Sequence, residues 1–487
     1  MLVRRRVYSD IDFDPLGLSK PVRSRLWRQI CAITEGYHER VPELPVAPEL
    51  DPGAVRDLLK RIDFNEPMDP AQAMQFAAHG LSHFQTHAAH PGYFGLFNPS
   101  PTAMGIAADA LVAAFNPQVG SWSGAPFAVE VEQYLIRFFG GQFGYGSSES
   151  FGTFTSGGSE ANHTALLTAL ARRFPEFNSH GVRGISSQPV IYVSKESHHT
   201  HLRAARLCGL GDSSIRRIPV GPDLQMNSDE LKQQVFRDRR DGLIPLMVIA
   251  TAGTTNAGVI DPIAETAEIA KEAGAWFHLD AAWGGAAALV PELKYLFRGA
   301  NRADSITFDA HKWLSVPMGA GMYLTRHRDI LEKTFRINTP YVPQDVAYLD
   351  VVEPYQQSIQ WSRRFIGLKL FLSLAVAGQQ GYASALRHQI KMANELRAKL
   401  YASGWKLMND TPLPVVCFID SRAGIGSSKG SLDRIARIVV GSGKAWISTT
   451  VIGEAQPVLR ACVTNYKTGS EDIDRLVSLL NEAREPR

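Results

Sequence analysis

The chain has 487 residues, with 51 Lys and Arg against 48 Asp and Glu, a formal net charge of +3. That charge is too small for a nucleic-acid binder, and no apolar run approaches the ~20 residues of a membrane-spanning helix. With 45% hydrophobic and 20% charged residues, the composition is that of a globular enzyme-sized chain of two or three packed units.

The first stretch, 1–91, reads as a helical arm punctuated by Pro15, Pro21, Pro42, Pro45 and Pro48. It has little apolar periodicity of its own, so it is expected to wrap a neighbour. Arg4, Arg5 and Arg6 read as a solvated tail, with no apolar core behind them for a secretory signal. From 92 to 369 the pattern alternates. Apolar β-branched runs at Val190–Val193, Leu246–Ala250 and Trp276–Leu279 are separated by helical stretches such as Glu160–Arg173 and Pro262–Ala273. This predicts an α/β unit with a mostly parallel central sheet, whose ligands sit at the carboxyl ends of the strands. The remainder, 370–487, predicts a smaller α/β domain. It has a long helix around Ser384–Tyr401 and strands at Pro414–Ile419, Ala445–Thr450 and Val458–Thr464. A closing helix follows over Ser470–Ala483, with Ser470 as its N-cap. Cys31, Cys208, Cys417 and Cys462 lie too far apart for a metal site or a disulfide framework. They are expected to be buried thiols of a cytoplasmic protein.

Five polar motifs fall beside these strands. Asp309-Ala310-His311-Lys312-Trp313 follows the strand-like run Ser305–Phe308. A lysine among Trp, Leu and Val is a candidate neutral amine, because burial disfavours its charged form, although a snorkelling side chain has the same look. Asp280 ends an apolar strand in His278-Leu279-Asp280-Ala281-Ala282-Trp283. It can either cap a turn or pair with a protonated ring nitrogen. Thr155-Ser156-Gly157-Gly158-Ser159-Glu160 opens a helix directly, which makes an ordinary cap or an anion cradle. His198, in Ser197-His198-His199-Thr200, and Thr255, after Gly253-Thr254, each follow a strand. Each motif alone has an ordinary reading. Together, at the strand ends of one sheet, they converge on one rim and describe a site for an aldehyde-bearing, phosphorylated pyridine.

With these motifs the sequence resembles the group II pyridoxal-phosphate decarboxylases, over about 90–465. The resemblance implies an aspartate-aminotransferase-like (fold type I) enzyme that uses pyridoxal 5′-phosphate, and no metal, to decarboxylate an L-amino acid. It implies a homodimer with shared active sites. Lys312 matches the lysine that holds the cofactor as a Schiff base, Asp280 the partner of the pyridine nitrogen, and His198 the stacking histidine. His311 matches the histidine near the phosphate, Gly158 and Ser159 the phosphate cradle, and Thr255 a threonine close to the cofactor. Arg460 matches a small-domain arginine near the substrate carboxylate. The family's proton-donating tyrosine lies on a mobile loop before Arg363-Arg364. Tyr355 is the assigned match, on an exposed stretch, with Tyr341 and Tyr348 as rivals. Phe97 and Trp122 are expected as apolar pocket walls, and Asn98 and Gln118 as polar additions. Asp309 stands where asparagine is frequent and is expected to turn toward backbone donors. An aromatic substrate is slightly favoured over an acidic or diamino acid. An aldehyde-forming oxidative deaminase is the alternative, and a non-catalytic scaffold a remote one.

Overall fold

In the computed structural model, which describes residues 16–337, 349–422 and 428–485, the apolar runs become strands of one seven-stranded sheet. In chain order these are β1 (Phe151–Thr155), β2 (Pro189–Ser194), β3 (Ile215–Ile218), β4 (Ile244–Thr251), β5 (Trp276–Asp280), β6 (Ser305–Asp309) and β7 (Gly321–Thr325). Their lateral order is β1-β7-β6-β5-β4-β2-β3. Strands β6, β5, β4, β2 and β3 pair parallel, while β7 pairs antiparallel with both β6 and β1. Only β7 is reversed, so β1 runs in the same sense as the parallel block. The carboxyl ends of β1, β2, β4, β5 and β6 therefore share one rim, where ligands of such sheets bind. Burial on both faces explains the unbroken apolar runs of β2 and β4. Strands β1, β3 and β7 carry Gly, Thr or Arg within them and have no such run.

A second sheet is antiparallel throughout, in the order β10-β11-β9-β8. It comprises β8 (Trp405–Leu407), β9 (Val415–Asp420), β10 (Ser448–Ile452) and β11 (Gln456–Cys462). The helix expected around Ser384–Tyr401 is longer, Leu368–Ala402. It is interrupted at Gly378, where φ is +66°, a conformation that side-chain-bearing residues resist. The closing helix spans Ser470–Arg484, but its cap is Gly469 rather than Ser470. The Asp472 carboxylate accepts from the Gly469 N–H at 2.9 Å, and the Ser470 hydroxyl turns to Glu395 instead. Cys31 also departs from expectation: it is exposed, while Cys208, Cys417 and Cys462 are buried.

The arm forms helices Lys20–Arg40, Pro52–Leu59 and Pro70–His83, and the first and last of these bury no residue. Downstream of the arm, segment 92–94 is fixed to the second sheet. Phe94 N–H donates to Trp446 O, Trp446 N–H to Gly92 O and Cys462 N–H to Phe94 O. This tie brings the next residues, 95–98, against β11 and beside the rim.

Candidate active site

Asp280 is the last residue of β5 and is buried at the rim. Its Oδ1 accepts from the Ala282 N–H at 3.1 Å. Its Oδ2 accepts from Asn162 Nδ2 at 3.0 Å and pairs with His201 Nε2 at 3.1 Å. Burial alone would raise this carboxyl. The hydrogen bond and charge of His201, then Lys312 and His278, outweigh burial and hold Asp280 well below the ordinary carboxylate range.

Behind Asp280 lies a buried chain of donors with one direction. Trp276 Nε1 donates to Ser305 Oγ at 2.8 Å, and Ser305 Oγ lies 2.8 Å from His278 Nδ1. His278 Nε2 lies 3.1 Å from Asn162 Oδ1, which also accepts from Thr307 Oγ1 at 2.6 Å. Asn162 Nδ2 then donates to Asp280 and, at 2.9 Å, to Thr200 Oγ1. Because Thr200 Oγ1 accepts from Asn162, its own proton is free for His198 Nδ1 at 3.1 Å. The Thr200 N–H points to the same nitrogen at 3.2 Å, so Nδ1 of His198 is an acceptor and a neutral ring carries its proton on Nε2. Asn162 thus fills both donors and both acceptors: one branch ends on the Asp280 carboxylate and the other runs through Thr200 to His198.

This wiring has a stability consequence. Burial, followed by the neighbouring His201, pushes His278 down to about 3. An unfolded histidine protonates near ~6.5, so between these values the unfolded chain binds the extra proton and stability falls as pH is lowered. The expected slope for this one group is about 1.4 kcal/mol per pH unit. Urea unfolding at about pH 7 and about pH 5.5 should show a smaller loss for His278→Gln than for the unmodified protein. Equal losses would show that His278 does not carry this dependence.

Lys312 follows β6, with its side chain 26% exposed and Nζ 3.1 Å from Asp309 Oδ2. The expectation that Asp309 turns to backbone donors does not hold. One oxygen faces Lys312 and the other, Oδ1, is buried without a partner among the described residues. The lysine ammonium three residues on is the stronger attraction for that carboxylate. His311 is buried beside it, with Nδ1 accepting from the Ala320 N–H at 3.1 Å. Above both lies the start of helix Gly158–Arg173. A Cβ at Gly158 would stand 2.8 Å from Asp309 Oδ2, and one at Gly157 3.3 Å from His311 Cε1, so the turn needs glycine to approach. Ser159 is exposed on the first turn, next to the unpaired N–H groups of a helix start. Thr255 is half-buried in the turn after β4. Its neighbour Thr254 anchors that turn through Val259 N–H at 3.1 Å, and Gly253 supplies a φ of +99° where Trp283 crowds the backbone.

The opposite wall comes from residues 93–98 and β11. Phe97 stacks on Trp283 at 4.2 Å, and the Arg460 guanidinium lies 5.0 Å over the Phe97 ring. Arg460 Nη1 donates to Gly95 O at 3.1 Å, while its Nε and Nη2 are buried without a partner among the described residues. Asn98 Oδ1 accepts from the Tyr93 hydroxyl at 3.2 Å. Trp122 bonds elsewhere, to Glu130 at 2.9 Å through its indole and to Glu353 through its N–H. Gln118 Oε1 is taken by the Arg363 N–H at 3.2 Å. Tyr355 is not exposed as expected. It is buried in the short turn Pro354–Gln356, its N–H donates to Gly120 O at 2.8 Å, and its hydroxyl accepts from Gln356 Nε2 at 2.6 Å. Hydrogen bonding to Gly120 and contact with Trp361 at 5.4 Å compact this segment. Tyr341 and Tyr348 lie outside the described residues.

These residues fit pyridoxal phosphate. An ionised buried carboxylate suits a pyridinium nitrogen. A helix start held open by glycine suits a phosphate, and an accessible lysine between them suits the aldehyde. The buried, unpaired guanidinium nitrogens of Arg460 suit a carboxylate.

Comparison with known proteins agrees. Residues 52–420 match the pyridoxal-dependent decarboxylase conserved domain. An aromatic-L-amino-acid decarboxylase of Bacillus atrophaeus is 30% identical over 468 residues, covering 94% of each chain. An L-aspartate decarboxylase of Metarhizium robertsii is 29% identical over 398 residues, covering 80% of this chain and 79% of the relative. A crystal structure of Oryza sativa TDC with PLP and tryptamine superposes with a TM-score of 0.90 at 25% identity, covering 97% and 99% of the two chains. The chain belongs to the pyridoxal-dependent decarboxylase family: it is a fold type I enzyme that uses pyridoxal 5′-phosphate to decarboxylate an amino acid.

Proposed function

We propose that this enzyme decarboxylates an aromatic L-amino acid to its amine, working as a cytoplasmic homodimer. The observation that carries the substrate class is the Phe97–Trp283 stack beside the rim, an apolar aromatic wall to which a substrate ring can add. The similarity to the Bacillus atrophaeus enzyme and to the tryptamine-bound rice structure supports it. A second reading, an acidic substrate, is favoured by the two unpaired nitrogens of Arg460, which would accept a side-chain carboxylate.

When bound, the cofactor would supply an aldehyde for the substrate amine and a ring that takes up the electron pair left on the substrate carbon as carbon dioxide departs. The protein's part is positional and electrostatic. Lys312 holds the cofactor between turnovers and exchanges a proton at Nζ. Asp280, buried at the rim and ionised, would keep a proton on the ring nitrogen. His198, oriented by Thr200, would cover the ring face, and Thr255, in the turn after β4, would stand close to the cofactor. Gly158, Ser159 and His311 hold the phosphate. Arg460 orients the substrate carboxylate against Phe97, and Asn98 adds a polar edge. Trp122 acts from outside this wall, through Glu353 and the segment that carries Tyr355.

We assign the returning proton to Tyr355. Its hydroxyl accepts from Gln356 Nε2, which leaves the phenol's own proton free to be given. The experiment is product analysis with a panel of aromatic, acidic and diamino L-amino acids, following carbon dioxide, amine, aldehyde and hydrogen peroxide. The account expects amine from an aromatic substrate. Turnover confined to aspartate or glutamate would establish the second reading. Tyr355→Phe should lose amine and, with dissolved oxygen as the oxidant, gain aldehyde and peroxide, whereas unchanged amine would move the role to Tyr341 or Tyr348.

The organisation we propose is an arm (1–91), a large cofactor domain (92–369) and a small domain (370–487). The dimer reading rests on apolar side chains left in water: Phe115 is 82% exposed, Phe127 67%, Tyr134 58% and Val376 69%, on three helices of the body. Such a surface marks an interface, and the core-less arm has a neighbour to wrap. Sedimentation should give twice the 53.5 kDa chain mass; an active monomer would refute it.

A further inference from the structure

We infer that His201 is a positioning residue for Asp280, one that selects which carboxylate oxygen meets the cofactor ring and keeps that carboxylate ionised. This rests on the reading of Asp280 given above.

The argument begins with oxygen accounting. An ionised carboxylate has about four acceptor positions on two oxygens. At Asp280, Oδ2 takes two donors, Asn162 Nδ2 at 3.0 Å and His201 Nε2 at 3.1 Å. Oδ1 takes only the Ala282 N–H, at 3.1 Å. The open position is therefore on Oδ1, and Oδ1 is the oxygen left for a pyridinium proton. Without His201, Oδ2 would have an open position too, and the carboxylate could rotate between two ways of meeting the ring.

The second part is electrostatic. His201 and Asp280 are 4% and 5% exposed, so little water screens them. A carboxylate this buried tends to take up a proton, and a protonated Asp280 could not hold one on the ring nitrogen. Asn162 contributes one neutral donor, and His201 contributes the second. The side chain is placed by local structure. Helix Thr200–Leu207 starts directly after His199, so its first turn sends His201 inward to Asp280 while His198 stays at the surface. The His201 ring meets His278 edge-on at 6.2 Å, and this contact fixes its plane.

The test uses holoenzyme loaded with pyridoxal phosphate labelled with ¹⁵N in the ring. The ¹⁵N shift reports directly whether the ring nitrogen carries a proton, and a purely structural lesion that leaves Asp280 ionised and in place would not move it. In His201→Leu the resonance should shift toward the unprotonated position, and the cofactor should bind about tenfold more weakly or worse. His201→Phe fills similar volume without a donor and should do the same, so either variant decides if the other does not fold. His201→Gln keeps an N–H donor at similar reach and should restore most of the protonated signal. A protonated nitrogen and unchanged cofactor affinity in a folded Leu or Phe variant would overturn the inference. Asp280→Asn, measured alongside, separates the two claims. If that variant leaves the nitrogen protonated, the reading of Asp280 itself is wrong. If it removes the proton while the His201 lesions do not, only the role of His201 fails.

Discussion

Lys312→Ala should fold, bind pyridoxal phosphate without a covalent link, and lose at least about 10³-fold in turnover, since the proposed function gives this residue both the tether of the cofactor and a proton exchange. The side chain stands between two fixed groups, Asp309 at 3.1 Å and the buried His311, whereas Lys195, which follows β2 at the same rim, is paired with Glu454 at 3.0 Å. Lys369, the next buried lysine along the chain, is committed elsewhere, to Asp109 at 3.2 Å and Met318 O at 3.0 Å. Stopped-flow or steady-state carbon dioxide release measures the effect. Retention of more than about a tenth of the rate would remove Lys312 from the chemistry.

Asp280→Asn should retain the fold and lose at least about 10²-fold in turnover, the scale of losing a preorganised electrostatic group. The amide is close in size but has a single acceptor oxygen, so it can still take either the Ala282 N–H or the Asn162 donor, not both. What disappears is the charge proposed to hold a proton on the ring nitrogen. The loss should appear mainly in kcat, because the charge matters most when the ring takes up electrons. A near-normal kcat would contradict the role. The lesion should also leave His201 and the donor chain from Trp276 without their acceptor charge, so some loss of thermal stability accompanies it.

How much of this was legible in the sequence follows from which signals are local. The strands buried on both faces, β2, β4 and β5, announce themselves as apolar runs, and the motif residues at their ends announce chemistry. Lys312, Asp280 and His198 are of this kind. β7 was not legible, because Gly321-Met322-Tyr323-Leu324-Thr325 has no long run, and its antiparallel insertion between β1 and β6 is a long-range pairing. The groups that support the site were not legible for the same reason. Asn162 meets Asp280 across 118 residues and Thr307 across 145, and no spacing rule joins them. His201 did carry a signal, a third histidine one helical turn after His198, but its inward direction depends on where the helix starts. Tyr355 shows the opposite failure. Its polar surroundings read as exposed loop, whereas the backbone bond to Gly120 and contact with Trp361 bury it. Asp309 departs from expectation because the Lys312 side chain, three residues on, attracts its carboxylate more strongly than backbone donors do.

The account's central claim is that Lys312 carries the cofactor in a decarboxylase. The most direct measurement is borohydride reduction of the holoenzyme, followed by peptide mapping. The account predicts one modified peptide, Asp309-Ala310-His311-Lys312-Trp313 within it, with the cofactor fixed on Lys312 and amine formation abolished. A modified peptide that lacks Lys312 would contradict it.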